Sequence, residues 1–189
     1  MSEVLPTVRA MLCGYFEEPT PPSASVTFLG TQKFSVLRFG PDADDVLTYA
    51  TLGCSTEPMQ DPNELVMSEA GPRAELVMNI RGGADGVART LAVLAAAPAV
   101  EGVILQSGAL MSLGEPLWPG SRFTGAVLTD SDVPDVQLEG GQAVSILEVL
   151  PATKNEIAFA RAKGVEALLD EWDADAIDLT DPLRPAANL

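Results

Sequence analysis

The chain has 189 residues, 27 acidic and 11 basic side chains, no histidine and a net charge of −16 at pH 7. That length suits one domain, or one domain with a tail, and can bury a core without help from disulfides or metals. Such acidity repels phosphate backbones and anionic membranes, so neither nucleic acid nor a lipid surface is an expected partner, while a basic protein would be drawn in. Acidity that only keeps the protein soluble is the simpler alternative.

Hydrophobic residues make up 47% of the chain and aromatic ones only 5%, which implies a core built mainly of Ala, Val and Leu. Cys13 and Cys54 stand far apart and form no C-x-x-C pair. A reducing cytoplasm is therefore the expected location. Glu3 lies near the start and no apolar leader follows it, so no signal peptide is expected. The most apolar stretch, Leu91 to Val100, is too short to span a bilayer.

Val4, Val8, Met11, Leu12 and Tyr15 recur at helical spacing and predict an N-terminal helix over residues 2–16. Pro19, Pro21 and Pro22 stop it. A meander of three strands follows, at Ser25–Leu29, Lys33–Phe39 and Val46–Leu52, with a turn at Asp42, Asp44 and Asp45. Pro58 to Pro72 reads as a loop. Arg73–Arg81 alternates cleanly, with Ala74, Leu76, Met78 and Ile80 on one face and Glu75, Asn79 and Arg81 on the other, joined there by Val77. After a break at Gly82–Gly86, a helix is expected over Val87–Ala97, stopped by Pro98.

A short buried strand at Val103–Leu105 and a loop over Met111–Gly120 come next. Strands at Arg122–Thr129 and Ala143–Leu150 are expected to pair across the acidic loop between them, with Pro151 ending the second. Thr153 and Glu156 have the spacing of a capping box that opens a helix carrying Ile157, Phe159 and Ala160. Gly164 either ends or bends that helix, and Val165, Leu168, Leu169 and Trp172 continue the spacing. Residues 173–189 read as an acidic, flexible and mostly solvated tail. The order of elements predicts an α+β domain over residues 1–172: a mixed, mainly antiparallel sheet packed by helices.

Without histidine, no Ser–His or Cys–His pair and no histidine zinc site can exist, and two cysteines cannot close a structural metal site. The Arg81-Gly-Gly-Ala-Asp-Gly86 turn matches no nucleotide-binding fingerprint and reads as a flexible connection. The aspartates at 42, 44 and 45, and the acidic run from Asp170 to Asp178, lack a calcium-loop spacing and read as solvated. No catalytic, cofactor-binding or metal-binding residue is therefore expected. Cys54, between Gly53 and Ser55, is a nucleophile only if its thiol is activated; a small packed side chain is the plainer reading. A small-molecule enzyme using carboxylates or Cys54 is the alternative to a binding protein. Trp118 lies in a loop beside Pro119, either as a binding anchor or as a plug at the core's edge.

Five motifs occur in order: Thr48-Tyr-Ala-Thr-Leu-Gly-Cys-Ser55; Arg73-Ala-Glu-Leu-Val77; Leu117-Trp-Pro-Gly-Ser-Arg-Phe-Thr-Gly125; Leu147-Glu-Val-Leu-Pro151; and Gly164-Val-Glu-Ala-Leu-Leu169 after Glu156-Ile-Ala-Phe159. This series resembles the suppressor-of-fused domain family in its bacterial single-domain form, from about Val26 to Trp172. The resemblance implies a domain without established catalysis that binds protein partners. Animal members grip a short peptide between two domains, and this length covers only the first of them. Many bacterial relatives look like immunity proteins, and an acidic inhibitor of a basic toxin would fit the charge. A histidine common in bacterial members after the middle short strand is replaced here by the Leu105-Gln-Ser107 neighbourhood. Residues Thr48, Tyr49, Thr51, Gly53, Ser55, Trp118 and Arg122 are the expected partner contacts, and capture of a peptide at an exposed sheet edge is one physically reasonable mode.

Overall fold

Residues 3–27, 33–60 and 70–189 are described by a computed structural model. Its centre is an eight-stranded sheet. The first three strands, β1 (Ser23–Thr27), β2 (Lys33–Phe39) and β3 (Val46–Leu52), form the antiparallel meander read from the sequence. β2 and β3 have the expected bounds; for β1, Phe28 and Leu29 lie outside the described residues, as does most of the 58–72 loop. β4 (Arg73–Arg81) pairs antiparallel with β3 on one side and parallel with β8 (Ala143–Ala152) on the other. Beyond β8 come β6 (Gly125–Asp130) and β5 (Leu110–Ser112), both antiparallel, while the two-residue β7 (Val136–Gln137) pairs with the start of β8. The spatial order is β1-β2-β3-β4-β8-β6-β5. The result is the expected mixed, mainly antiparallel α+β fold.

Helices cover both faces. Helix α2 (Val87–Glu101) seals one with Val87, Leu91 and Leu94 against Leu76, Met78, Ile80, Leu128 and Val149. On the other face α1 (Val4–Tyr15) packs Val8 and Leu12 on Leu37, Phe39, Val77 and Ile146. Further along that face α3 (Lys154–Lys163) and α4 (Val165–Ala174) bring Ile157, Ala160, Leu168 and Trp172 onto Val127, Leu150 and Ala152. Because β4 lies between covered faces, Glu75 on its expected polar face is fully buried. Tyr15, expected in the apolar stripe of α1, is 45% exposed.

Several expectations are corrected. Pro98 does not stop α2; the helix runs one further turn to Glu101 and is closed by Gly102, whose N–H donates to the Pro98 carbonyl in the left-handed conformation. A proline deletes only one helical hydrogen bond, and the burial of Ala95, Ala96 and Ala97 holds the turn in place. Val103–Leu105 is not a strand: the Leu105 N–H donates to the Met59 sulfur, and the sheet is joined later, where Gly108 donates to the Leu128 carbonyl. The expected 111–120 loop accordingly begins within β5.

Pro151 lies inside β8 rather than ending it. Ala152 turns its carbonyl toward β6, where it accepts from the Thr124 N–H. Successive strand residues point their backbone groups to opposite sides, so Pro151 faces the side where pairing with β4 has ended at Glu148. No sheet rung is lost there, and the Pro151 carbonyl is free to accept from Arg184 at 2.8 Å.

That contact also ties down part of the segment after α4, which otherwise stays largely exposed. The segment after α4 returns to the sheet, where the Thr180 carbonyl accepts from the Arg81 N–H at the end of β4, and Arg184 is only 2% exposed. Thr153 and Glu156 form the expected capping box at the start of α3, and Gly164 ends α3 before α4 begins. No helix among the described residues is long and apolar enough to cross a membrane.

Candidate functional site

The strand end read as a contact surface is an internal polar cradle. Glu75 points from β4 under the turn Cys54–Thr56, and five donors converge on its carboxylate. Oε1 accepts from the N–H groups of Gly53 (2.8 Å) and Ser55 (3.0 Å) and from the Ser55 hydroxyl (2.6 Å). Oε2 accepts from the Thr51 hydroxyl (2.6 Å) and the Cys54 N–H (3.3 Å). Thr51 also accepts from the Leu76 N–H, which ties the cradle to the neighbouring strand. Arg73 holds the turn from its far end, donating to the Ser55 and Thr56 carbonyls.

Gly53 makes this turn possible. Its φ of 147° is reserved largely for glycine, and a Cβ there would stand 3.2 Å from Phe34. Thr51, Gly53 and Ser55 are buried and bonded to Glu75, and together they shape the strand end. The Cys54 thiol is pushed well above its ordinary value, first by burial and then by the Glu75 charge. That is the wrong direction for a nucleophilic thiolate.

Thr48 begins a second polar chain on the face that carries α1. Its hydroxyl donates to Asn79 Oδ1 at 2.6 Å, and Asn79 Nδ2 donates to Glu148 Oε1 at 2.8 Å. This row of polar side chains across β3, β4 and β8 separates the apolar patch under α1 from the one under α3 and α4. The Glu148 carboxyl is raised above its ordinary 4.5, by burial first and by Asp132 as well, against the lowering bond from Asn79. A raised carboxyl favours the fold while protonated and loses that contribution as the pH rises through its folded value. Glu148→Gln is therefore expected to raise the melting temperature at pH 7 and to flatten the fall in stability above pH 4.5. Thermal unfolding across pH checks both, and a lower melting temperature for the variant would refute them.

Tyr49 is buried on the opposite face, within the core under α2. Trp118 is 5% exposed, with its ring 5.7 Å from that of Phe123 in an edge-on contact, so it plugs the core's edge. Its loop nevertheless borders an open groove of about 440 Å³ against α2. Leu117 and Trp118 form the floor, Val93 and Pro116 the walls, and Arg89 and Glu115 add one charge of each sign. The Thr90 hydroxyl donates to the Leu117 carbonyl and fixes the loop on the helix. Of the expected contacts only Arg122 is exposed, and Thr48 is half-buried.

The structure thus divides six of the seven expected residues between a cradle, a polar row, the core and a groove, and leaves Arg122 exposed outside them. It also shows that β3 lies between β2 and β4, leaving β1 and β5 as the outer strands. Arg89 and Val93 escaped the sequence reading because α2 is so rich in Ala and Leu that its outer face has little contrast. Their four-residue spacing was the available signal. Among the described residues no group of three or more Cys, Asp or Glu side chains could hold a metal ion.

Comparison with known proteins agrees with this architecture. The family described as suppressor of fused protein (SUFU) matches residues 30–185. A SUFU homologue from Neisseria gonorrhoeae superposes with a TM-score of 0.70 at 19% identity, covering 96% of this chain and 94% of that one. A chain of the Sufu–Fu complex gives 0.73 at 14% identity, covering 97% and 91%. Drosophila Suppressor of Fused gives 0.72 at 14% identity; 97% of this chain aligns with 50% of that longer one. No curated protein matches the chain significantly. The family match spans most of the sequence and takes in the Glu75 cradle, the Trp118 loop and the returning C-terminal segment, and on that match the chain belongs to the suppressor of fused family.

Proposed function

We propose that this chain is a non-catalytic protein-binding domain that captures a basic protein partner, as an immunity-type inhibitor does in the cytoplasm. Membership of the suppressor of fused family carries the reading. A structure of the same fold was determined as a complex of Sufu with Fu, so this architecture is compatible with holding a protein. The charge of −16 supports a basic partner through faster encounter and a salt-sensitive complex. The groove between α2 and the Trp118 loop is the docking surface in this reading. An extended segment of the partner would lay apolar side chains on Leu117, Val93 and Pro116 and set a cation beside Glu115.

The test begins with affinity purification from the source cell and continues with titration of the purified partner. Val93 is 37% exposed, so Val93→Arg adds a cation to the groove without entering the core. The variant is expected to lose about tenfold or more in affinity, equivalent to about 1.4 kcal/mol, with its melting temperature unchanged. Wild-type affinity is expected to fall with added salt. An unchanged affinity for Val93→Arg would remove the groove from the proposal, and reproducible recovery of no partner would remove the function.

A further inference from the structure

The last nine residues of the chain bury one side chain. Leu183 is 73% exposed and Leu189 48%, and Pro185 and Ala186 face solvent, yet Arg184 between them is 2% exposed. Its guanidinium enters a site whose charged and aromatic groups all belong to other elements. Nη1 pairs with Glu156 Oε1 at 2.8 Å and Nη2 with Oε2 at 3.1 Å, the two-pronged match of guanidinium to carboxylate. Nη2 also donates to the Pro151 carbonyl. The planar group lies 4.8 Å from the Phe123 ring and 5.1 Å from that of Trp172. Glu156 is itself held in place by the Thr153 N–H and the Trp172 indole N–H.

We propose that this pocket is an arginine-binding site which the chain occupies with its own Arg184, and which an arginine-bearing segment of a protein partner takes in exchange. The ion-pairing and aromatic groups lie outside the strap of residues 183–189: Pro151 on β8, Glu156 on α3, Trp172 on α4 and Phe123 in the loop before β6; the strap itself adds the Pro185 carbonyl, which accepts from Nη1 at 2.9 Å, and the Ala187 N–H, which donates to Glu156 Oε1 at 3.0 Å. A buried ion pair adds little net stability compared with an apolar contact, but it discriminates strongly between side chains. Bidentate pairing and two aromatic faces select guanidinium over ammonium. The strap adds little apolar burial of its own, because its large apolar residues point outward. The negative field of the protein raises the local concentration of basic segments near the site. The pocket does not depend on the groove beside α2, so Val93→Arg leaves it intact.

The test uses a chain ending at Pro182, which keeps the Thr180–Arg81 contact, and the full chain carrying Arg184→Ala. The probe is a capped Gly-Ser-Arg-Ser-Gly peptide, which shares only arginine with the strap. Binding is read by titration calorimetry and by the NMR signal of the Trp172 indole N–H, which donates to Glu156. The peptide is expected to bind both variants and shift that signal, with lysine in place of arginine weakening it about tenfold or more. Glu156→Gln in the truncated chain is expected to weaken it similarly, and the intact chain to bind about tenfold or more weakly than Arg184→Ala, because its own strap competes. Equal binding of the lysine peptide would overturn the proposal as general attraction to an acidic protein. Folded variants that bind no peptide would overturn it too. So would failure of both variants to fold, since an exchangeable strap must be dispensable.

Discussion

Glu75→Ala is expected to destabilise the protein by about 3–5 kcal/mol, the range for removing one member of a buried charged network. The carboxylate is fully buried and collects donors from Thr51, Gly53, Cys54 and Ser55. Alanine would leave those donors facing a dry cavity, and the backbone N–H groups cannot rotate away. Glu75→Gln should cost less, about 1–2 kcal/mol. Its carbonyl oxygen can take the Oε1 position, with three of the five donors, while its amide nitrogen meets the Thr51 hydroxyl and the Cys54 N–H. The Thr51 hydroxyl can turn, whereas the Cys54 N–H, the longest contact at 3.3 Å, is lost. For a chain of this size each kcal/mol moves the melting point by about 2–4 °C, so alanine should lower it by about 6–20 °C. Urea unfolding of both variants checks the order. A loss for glutamine as large as that for alanine would show that the cavity, not the donor set, controls the cost.

The same residues show what was legible in the sequence. The bounds of β2, β3 and β4 were readable because each is a short alternating run between turn residues, and that pattern is local. The capping box at Thr153 and Glu156 was readable for the same reason. What failed was anything set by a distant partner. Alternation placed Glu75 on the polar face of its strand, but it reports two faces of a strand, not whether a second layer covers the polar one. Thr51 and Ser55 looked like exposed contacts because Glu75, to which they bond, is more than 19 residues away in each case. Arg184 sits among prolines and acids that mark a tail, and its buried anchor Glu156 is 28 residues earlier. Pro98 and Pro151 read as stops because proline breaks ladders on average. One removes a single bond from a helix held by burial, and the other faces the open side of β8. The groove beside Trp118 was half-legible: the loop was found from its aromatic and prolines, but the helix wall was not.

The ion pair under the C-terminal strap sets the second large effect. Burial alone would raise the Glu156 carboxyl; hydrogen bonds from Arg184, the Thr153 N–H, the Trp172 indole and the Ala187 N–H outweigh it and hold the group at about 2, against an ordinary 4.5. A depressed carboxyl contributes stability that is fully present above its unfolded value and is lost as the pH falls through its folded value. The contribution of Glu156 is therefore complete above about pH 4.5 and disappears between there and about pH 2. A depression of that size corresponds to about 3 kcal/mol. Glu156→Gln should lose the acid-dependent part and leave a flatter pH profile between those limits, measured as the difference from wild type so that the remaining carboxylates cancel. At pH 7 it should be less stable than wild type by about 3–5 kcal/mol, because the Arg184 charge stays buried without its counter-charge. Adding Arg184→Met to Glu156→Gln should recover part of that loss, since an apolar chain in the same slot carries no charge to desolvate. A double variant as unstable as the sum of the two single ones would contradict the coupling, and would place the stability of this corner in the packing of Trp172 and Phe123 instead.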